Sequence, residues 1–258
     1  MFGKRQNADD KLNMETDYTK HSNVKNKQKT DKKSVRILCT GIGILLLICV
    51  FSYLYRQSRV FVYDEHLDDV VLTVDDREMT LREFGYYIYS LEAHVNKQAI
   101  IYDYKNPLDY WNKHFRAGLD SRFISLMARD KAYDVCICDM IYEQMALEAG
   151  YSLTEDEEEK ALQKADELYQ KMTELQIEQL GINKEMVEEI QMKKVLIGKF
   201  AKDYVKNINF DGYAGYREEL ISANGDYYEE HILPEHEVVV NGYIKNALKF
   251  GRITVNTK

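Results

Sequence analysis

The 258-residue chain contains only two prolines and four cysteines. So few prolines argue against a long disordered linker between domains. Cys39 and Cys49 lie in one apolar run, whereas Cys136 and Cys138 are two positions apart in a helical pattern, where side chains do not face each other. The sequence therefore predicts no disulfide scaffold and no two-cysteine metal site. It predicts Cys136 and Cys138 as small residues at the edge of a core.

The chain also lacks the patterns that accompany catalysis or cofactor binding. No glycine-rich phosphate loop occurs, and three histidines stand apart from any serine, cysteine or carboxylate pattern of nucleophilic catalysis: His66, His94 and His114. His231 and His236 are separated by Pro234, so they do not share a helix face as a zinc pair does. We interpret residues 229–237 as a solvated loop. We expect no catalytic residue, no cofactor and no metal.

One long uncharged run is present, from Ile37 to Tyr55, and Arg36 and Arg56 flank it. Nineteen residues in a helix span about 28 Å, close to the hydrocarbon thickness of a bilayer of about 30 Å. A cleaved signal peptide is the alternative, but the run is long for its apolar region and no small-x-small cleavage site follows. The run predicts an uncleaved transmembrane helix with ends at Ile37 and Tyr55.

Charge is distributed unevenly around this run. Residues 1–36 carry a net charge of +5 and the whole chain carries −8, so residues 37–258 carry −13. An acidic body argues against nucleic-acid binding, because phosphate contacts need a basic face. Lysine and arginine concentrate just before the run, which predicts a cytoplasmic N-terminus. We therefore predict four regions: a disordered basic cytoplasmic tail (1–36), a transmembrane helix (37–55), a juxtamembrane linker (56–67) and an extracytoplasmic domain (68–258).

The start of the body reads as a strand, a turn and a capped helix. Val70, Val71, Leu72 and Val74 read as a short strand, and Asp75-Asp76 reads as a turn. Thr80 and Glu83 have the spacing of a capping box, which opens a helix to about Asn96. Three further segments are predicted after this helix: a connection at 98–106, a helix from Pro107 to Gly118, and a long helix at 120–149 that ends at Gly150.

A second capping box opens at Thr154 and Glu157. The acidic run from Thr154 to Glu159 resembles a calcium loop only in composition. Its carboxylates are consecutive and not spaced, so we assign them to the positive end of the helix. This helix is predicted to run past Leu175, and the next spans 184–207 with Asn183 as its N-cap.

The last fifty residues mix short helices and strands. The pattern predicts a helix at 216–221, a strand at 237–240, a helix at 241–249 and a strand at 252–255. A two-stranded ribbon alone is marginal in water. The late strands therefore need a partner, and we expect them to pair with residues 70–74, so that the two ends of the body meet.

Three segments in this order resemble a known family: "VVLTVDDREMTLREFGYYIYSLE", "IYEQMALEAGYSLTEDEEEKALQKA" and "EQLGINKEMVEEIQMKKVLIGKFAKDYV". They are similar to the N-terminal chaperone domain of SurA- and PrsA-type extracytoplasmic foldases, over about residues 68–208 and as far as 256 with the tail. The resemblance implies a mainly α fold, a helical domain like SurA-N and the C-terminal domain of trigger factor. A small β-sheet joins its N- and C-terminal ends, and one transmembrane helix precedes it.

The chain departs from this family in two places. Asp75-Asp76 stands where the family has an Asn-Gly-like turn, a change that leaves the implied fold intact. The parvulin isomerase domain is missing, because about fifty residues follow residue 208. His231-Ile232-Leu233 resembles the opening of a parvulin, but the glycine-rich loop and the second, C-terminal histidine are absent. The resemblance therefore implies the chaperone half without isomerase activity.

The body is rich in tyrosine and methionine, with 20 Tyr and 9 Met in the chain. Amphipathic tyrosine and flexible methionine suit a surface that accepts varied apolar segments. The alternative is that they are ordinary core and rim residues of a helical domain. Seven residues are the candidate client-binding set: Tyr86, Tyr87, Tyr89, Tyr102, Tyr104, Trp111 and Met127.

These observations predict a membrane-anchored, extracytoplasmic, non-catalytic protein of chaperone type that binds unfolded or newly translocated polypeptides. Two alternatives remain open at the level of sequence. One is a structural adaptor in an envelope or secretion complex with one specific partner. The other is a peptidyl-prolyl cis-trans isomerase with an unrecognised site.

Overall fold

The computed structural model describes residues 32–57, 61–115 and 121–254. The chain divides into two compact units, Met1–Val60 and Phe61–Lys258. The greater part of the predicted disordered tail, residues 1–31, lies outside the described residues. Within the described residues, the first unit contributes one helix, and the second contributes the folded body.

The first unit contains helix α1, Lys32–Gln57. Its segment Arg36–Tyr53 has a mean hydropathy of 2.1 and exposed side chains, and it is long and apolar enough to cross a membrane. The predicted apolar helix is therefore present, but the helix begins before Ile37. The last five residues of the predicted tail are helical, because lysine and arginine are good helix formers and no breaker separates them from the apolar run.

The second unit begins within the segment predicted as a juxtamembrane linker. A short 3₁₀ helix, Tyr63–His66, follows Phe61, and the rings of Phe61 and His66 stack with centroids 4.6 Å apart. Phe61 and Tyr63 pack against the core, and the Leu67 carbonyl accepts a hydrogen bond from the Arg82 backbone N–H at 2.8 Å. Residues from Phe61 onward therefore belong to the body, because their aromatic side chains gain by burial.

A three-stranded antiparallel sheet joins the two ends of the body. It consists of β1 (Val70–Val74), β2 (Arg77–Thr80) and β3 (Val238–Val240), in the order β2-β1-β3. The predicted turn at Asp75-Asp76 is confirmed, and Asp75 has a φ of 53°. Strand β2 was not predicted from the sequence, because its last residue, Thr80, also caps the following helix.

One of the two late strands predicted as partners of residues 70–74 is correct and the other is wrong. β3 pairs with β1, with Leu72 opposite Val240 and Val74 opposite Val238. Residues 252–254 form no strand, and Val255 lies outside the described residues. The backbone N–H groups of Gly251, Ile253 and Thr254 instead donate to the carboxylate of Glu92, so this segment closes the fold through a side chain.

Helix α2, Leu81–Tyr102, opens with the predicted capping box of Thr80 and Glu83. It runs past the predicted end at Asn96, so residues 98–102 of the predicted connection are helical. Buried Val95 and Ala99 keep its apolar face against the core to its last turn. Helix α3, Pro107–Tyr110, is a single turn and does not continue toward Gly118. The chain after it pairs with the start of the next helix, and residues 116–120 are outside the described residues.

The remaining long helices follow the predicted order. Helix α4, Ile124–Glu148, begins a few residues after the predicted start, and Gly150, with a φ of 76°, follows its end as predicted. Helix α5, Glu155–Tyr169, has the predicted capping box of Thr154 and Glu157. The predicted extension of α5 to Leu175 is wrong, because a third capping box at Thr173 and Gln176 starts a separate helix, α6, Glu174–Leu180.

Helix α7, Lys184–Tyr204, starts at the predicted cap Asn183 and ends in a 3₁₀ turn, Val205–Asn207. The tail adds α8 (Arg217–Leu220), a π-helical turn (Tyr228–Ile232), a 3₁₀ turn (Leu233–Glu235) and α9 (Gly242–Ala247). Helix α4 packs against α2 on one side and α7 on another, and α5 packs on α7. The body is thus mainly helical with one small sheet, as predicted.

Candidate functional site

The seven predicted client-binding residues do not share one surface. Four of them are buried: Tyr86, Tyr87, Tyr89 and Trp111. Met127 is half-buried, whereas the side chains of Tyr102 and Tyr104 are 64% and 74% exposed. The alternative interpretation, core and rim aromatics, therefore describes most of the set. Of the seven side chains, those of Tyr102 and Tyr104 are the most accessible to a ligand.

Two of the buried tyrosines, Tyr86 and Tyr87, belong to a polar network inside the body. The Tyr87 hydroxyl donates to Oδ2 of Asp139 at 3.1 Å, and the Tyr86 hydroxyl accepts from Gln191 Nε2 at 2.8 Å. Lys194 Nζ donates to the same Asp139 oxygen at 2.6 Å. The network ties α2, α4 and α7 together, because buried polar groups need partners. These tyrosines therefore fix helix positions.

The described body contains an open groove of about 840 Å³. It lies between α4, α7 and the segment 217–223, which contains α8. Its floor is apolar and is formed by six residues: Val135, Tyr142, Ile197, Ala201, Val205 and Ile221. A concave, mainly apolar site of about 300–1,000 Å³ is the usual form of a ligand site. We call this site the groove.

The third wall of the groove is held to α4 by side chains that reach across. The Tyr142 hydroxyl donates to the Ile221 carbonyl at 2.6 Å, and Lys131 Nζ donates to the Ala223 carbonyl at 2.7 Å. Gly225 follows this wall, and a Cβ there would lie 2.2 Å from the Glu219 carbonyl oxygen. Only glycine allows so close an approach. The wall is therefore a fixed part of the fold.

Gly198 gives the groove part of its width. It lies inside α7, it is exposed, and a Cβ added to it would meet no atom within 4 Å. Glycine in a helix interior costs about 1 kcal/mol relative to alanine. This glycine therefore brings no gain in packing, and it leaves open the space that a side chain would fill. An interior helical glycine was the one sequence signal of the groove, and the sequence analysis missed it.

Charged residues border the groove on both long helices and on the third wall. Four are cationic and two are anionic: Lys131, Lys202, Lys206 and Arg217, with Asp139 and Glu218. The Asp139 carboxylate already pairs with Lys194. Burial alone would lower the pKa of Lys194, but Asp139 and Tyr86 outweigh it and raise the pKa above its usual value. Lys194 therefore stays charged, and its charge balances that of Asp139.

The two helical cysteines are unreactive where they lie. Cys136 is fully buried and Cys138 lines the groove while being 6% exposed. Burial raises the pKa of the Cys138 thiol to about 12, and it raises that of Cys136 well above its usual value. Both side chains remain neutral thiols near pH 7, and a neutral thiol is a poor nucleophile. The Cys138 thiol that lines the groove is therefore not an activated nucleophile.

The predicted solvated loop at 229–237 is more ordered than expected. Tyr228 and Ile232 of the π-helical turn are buried and hold it to the core. His236 Nδ1 lies 2.8 Å from Asp75 Oδ2, and His231 Nε2 lies 2.7 Å from the Tyr213 hydroxyl. The two histidines contact different partners. In the ranges 32–57, 61–115 and 121–254, no group of three or more His, Cys, Asp or Glu residues is arranged to hold a metal ion.

A second exposed surface lies at the end of α2. Five large apolar side chains within nine residues are exposed there, and we call them the apolar tip: Ile100, Ile101, Tyr102, Tyr104 and Leu108. Ile101 is 86% exposed. An apolar cluster of this kind is typical of an interaction surface. The tip includes the two predicted client-binding tyrosines that the structure leaves accessible.

Comparisons of the chain with protein-family models, curated proteins and solved structures find no match. The functional assignment therefore depends on the groove, the apolar tip and the sequence.

Proposed function

We propose that this protein is a membrane-anchored, non-catalytic polypeptide-binding protein of chaperone type. Its groove holds apolar segments of unfolded or newly translocated chains outside the membrane. The observation that carries this proposal is the open groove of about 840 Å³ with an apolar floor between α4 and α7. A groove between two helices suits a ligand that lays one apolar face on the floor.

Three features of the chain support the proposal. Helix α1 has the length and hydropathy of a membrane anchor, and lysines and arginines precede its apolar run. The body is mainly helical with one small antiparallel sheet, which is the coarse fold that the SurA-type resemblance implies. The groove offers dispersion and apolar contact without an activated nucleophile. Such contacts have little directionality, so they accept many sequences.

An anchor would also raise the local concentration of the groove where clients emerge from the membrane. Tethering converts a second binding step into an intramolecular one, with effective concentrations in the millimolar range for short linkers. A modest affinity for each client is therefore sufficient. Weak binding also allows release, which a holding protein without a nucleotide cycle requires.

The test uses the full chain in lipid nanodiscs and an unfolded client diluted from denaturant. The proposal predicts that the protein suppresses light scattering by the aggregating client in proportion to its concentration. Empty nanodiscs are the control. If scattering is the same with protein-loaded and empty discs, and a labelled apolar peptide shows no binding, the proposal is wrong.

The apolar tip favours a second candidate, an adaptor that binds one specific partner. Exposed Ile101 and Tyr104 present a fixed surface with no described element packed over it. Photo-crosslinking from position 101 in membranes distinguishes the two functions. One stoichiometric product supports the adaptor, and a broad distribution of products supports a chaperone.

A further inference from the structure

We propose that the groove selects polypeptide segments in which acidic residues flank apolar ones. The inference rests on the proposed function, because it names the class of polypeptide that the same groove would take. It comes from the charges at the rim, which the apolar floor alone does not explain.

The cationic side chains of the rim are only partly neutralised by the protein. Lys206 pairs with Asp203 at 2.7 Å. Among the described residues no carboxylate lies within 4 Å of Lys202 or Arg217, and both side chains are exposed. The Arg217 guanidinium lies over the ring of Phe210, with its carbon 5.7 Å from the ring centroid. Lys202 and Arg217 therefore present charges that a ligand carboxylate can reach.

Lys131 adds a third cation at the groove. Its Nζ donates to two neutral oxygens, the Ala223 carbonyl at 2.7 Å and Asn224 Oδ1 at 2.6 Å. These bonds fix its position without cancelling its charge. On the anionic side, Asp139 is balanced by Lys194, so Glu218 is the remaining acidic group of the rim. The rim thus has an excess of positive charge.

The positive charge at the rim is opposite in sign to the net charge of the chain beyond residue 36. The chain beyond residue 36 carries a net charge of −13, so a positive rim is a local departure from an acidic surface. Charges around a concave, low-dielectric site focus the potential there and attract ligands of opposite sign. Complementary charges also discriminate among ligands of similar apolar content. The occupant that satisfies both floor and rim is an apolar segment with Asp or Glu on its flanks.

Apolar contacts and ion pairs contribute differently to binding in the groove. Val135 and Ile197, which are half-buried, take the apolar side chains of the ligand, and burial of their remaining exposed surface supplies affinity. Lys202 and Arg217 stand on different elements, α7 and α8, so they can meet two different carboxylates of one segment. Each exposed ion pair changes affinity by at most about fivefold. Two or three of them give a measurable preference.

The test uses three labelled peptides with one apolar centre and flanks of Asp/Glu, Asn/Gln or Lys. Fluorescence anisotropy measures their binding to the full chain in nanodiscs of uncharged phosphatidylcholine. We expect the acidic peptide to bind about tenfold more tightly than the basic one at low salt, with the neutral peptide between them. We also expect the difference to shrink as sodium chloride screens the rim.

A charge-reversal variant tests whether the rim residues cause the preference for acidic peptides. Lys202→Glu/Arg217→Glu is expected to invert the order of the acidic and basic peptides. Lys160→Glu/Lys164→Glu makes the same change in net charge on the exposed face of α5, outside the groove, and is expected to keep the order. If both variants invert it, net charge and not the rim sets the preference, and the inference is wrong.

The outcomes separate this inference from the proposed function. Equal binding of the three peptides overturns the acidic preference and leaves polypeptide binding intact. Binding of none of them overturns the proposed function as well. Tighter binding of the basic peptide to the unchanged protein also contradicts the inference.

Discussion

The Thr254 backbone N–H donates to Oε2 of Glu92 at 2.6 Å, across 162 positions of the chain. The same carboxylate accepts the Gly251 N–H at 2.5 Å and the Ile253 N–H at 3.3 Å through Oε1. Glu92 is 1% exposed, so this cluster lies inside the body. One side chain of α2 therefore holds the last described residues of the body against its first long helix.

Replacing this carboxylate with an amide is expected to destabilise the body. In Glu92→Gln an NH₂ group, which donates, takes the place of one accepting oxygen, so buried donors lose their acceptor. Leaving a buried group unsatisfied costs about 1–3 kcal/mol, which denaturant unfolding measures. Glu185→Gln, at an exposed position of α7, is the matched control and is expected to change the free energy of unfolding by less than about 0.5 kcal/mol.

The difference in free energy of unfolding between the unchanged protein and Glu92→Gln is expected to depend on pH. Burial raises the pKa of Glu92 above its usual value of 4.5, and the bonds from Thr254, Gly251 and Ile253 offset part of the rise. The native state therefore keeps a proton that the unfolded chain has released. The free energy of unfolding then falls as pH rises from 4.5 through the folded pKa.

The measurement is the difference in unfolding free energy between the two proteins from about pH 4 to pH 8. Other titrating groups are common to both, so they cancel in the difference. The account predicts that the difference narrows with rising pH. A difference that stays constant or widens would show that the Glu92 pKa is not raised in the fold.

Breaking the pair between Lys194 and Asp139 is expected to cost about 2 kcal/mol. The loss of one partner of a fully buried pair costs about 3–5 kcal/mol, and the Lys194 side chain is 30% exposed, which reduces the value. Lys194→Met keeps an unbranched side chain of similar length and removes its charge. The double variant with Asp139→Asn is expected to be less destabilised than the sum of the single variants. Additive effects would contradict a direct interaction.

The capping box at Thr173 is expected to stabilise the start of α6 and so to keep α5 and α6 as separate helices. The Thr173 side chain accepts the Gln176 backbone N–H at 3.2 Å, and the Gln176 side chain accepts the Thr173 N–H at 2.9 Å. Thr173→Ala should lower the free energy of unfolding by about 1 kcal/mol, whereas Thr173→Ser keeps the capping oxygen and most of the stability. Equal losses in both variants would mean that the methyl group matters and the cap does not.

Local signals in the sequence predicted the starts of α2, α5 and α7. The caps at Thr80, Thr154 and Asn183 depend on residues three positions away, so they are readable without a structure. The cap at Thr173 has the same form and was read as helix interior because apolar residues continue on both sides. The apolar composition of α1 likewise predicted a long helix, although not its start at Lys32.

The pairing of β1 with β3 was predicted, but several other features that depend on distant contacts were not. Residues 252–254 have the pattern of a strand, yet Glu92 takes their N–H groups. Tyr86 and Tyr87 have the composition of a binding surface, yet Gln191 and Asp139 bind their hydroxyls inside the body. The groove depends on Tyr142 reaching the Ile221 carbonyl, a contact that no local spacing reveals. Gly198, a glycine inside a helix, was the one feature of the sequence that indicated the groove.

The most direct test of the groove as a polypeptide site is the affinity of one apolar peptide for the unchanged protein and for Gly198→Leu. Leucine favours the helix over glycine by about 0.8 kcal/mol, so the variant keeps or gains stability while its side chain fills the open space. Lys164→Leu adds the same side chain to the exposed face of α5 and is the matched control.

Fluorescence anisotropy on the full chain in nanodiscs gives the three dissociation constants. The account predicts that Gly198→Leu weakens binding by about tenfold or more, a loss of about 1.4 kcal/mol, while Lys164→Leu leaves it unchanged. Unchanged affinity in Gly198→Leu, with the fold and stability retained, would show that polypeptides do not bind in the groove.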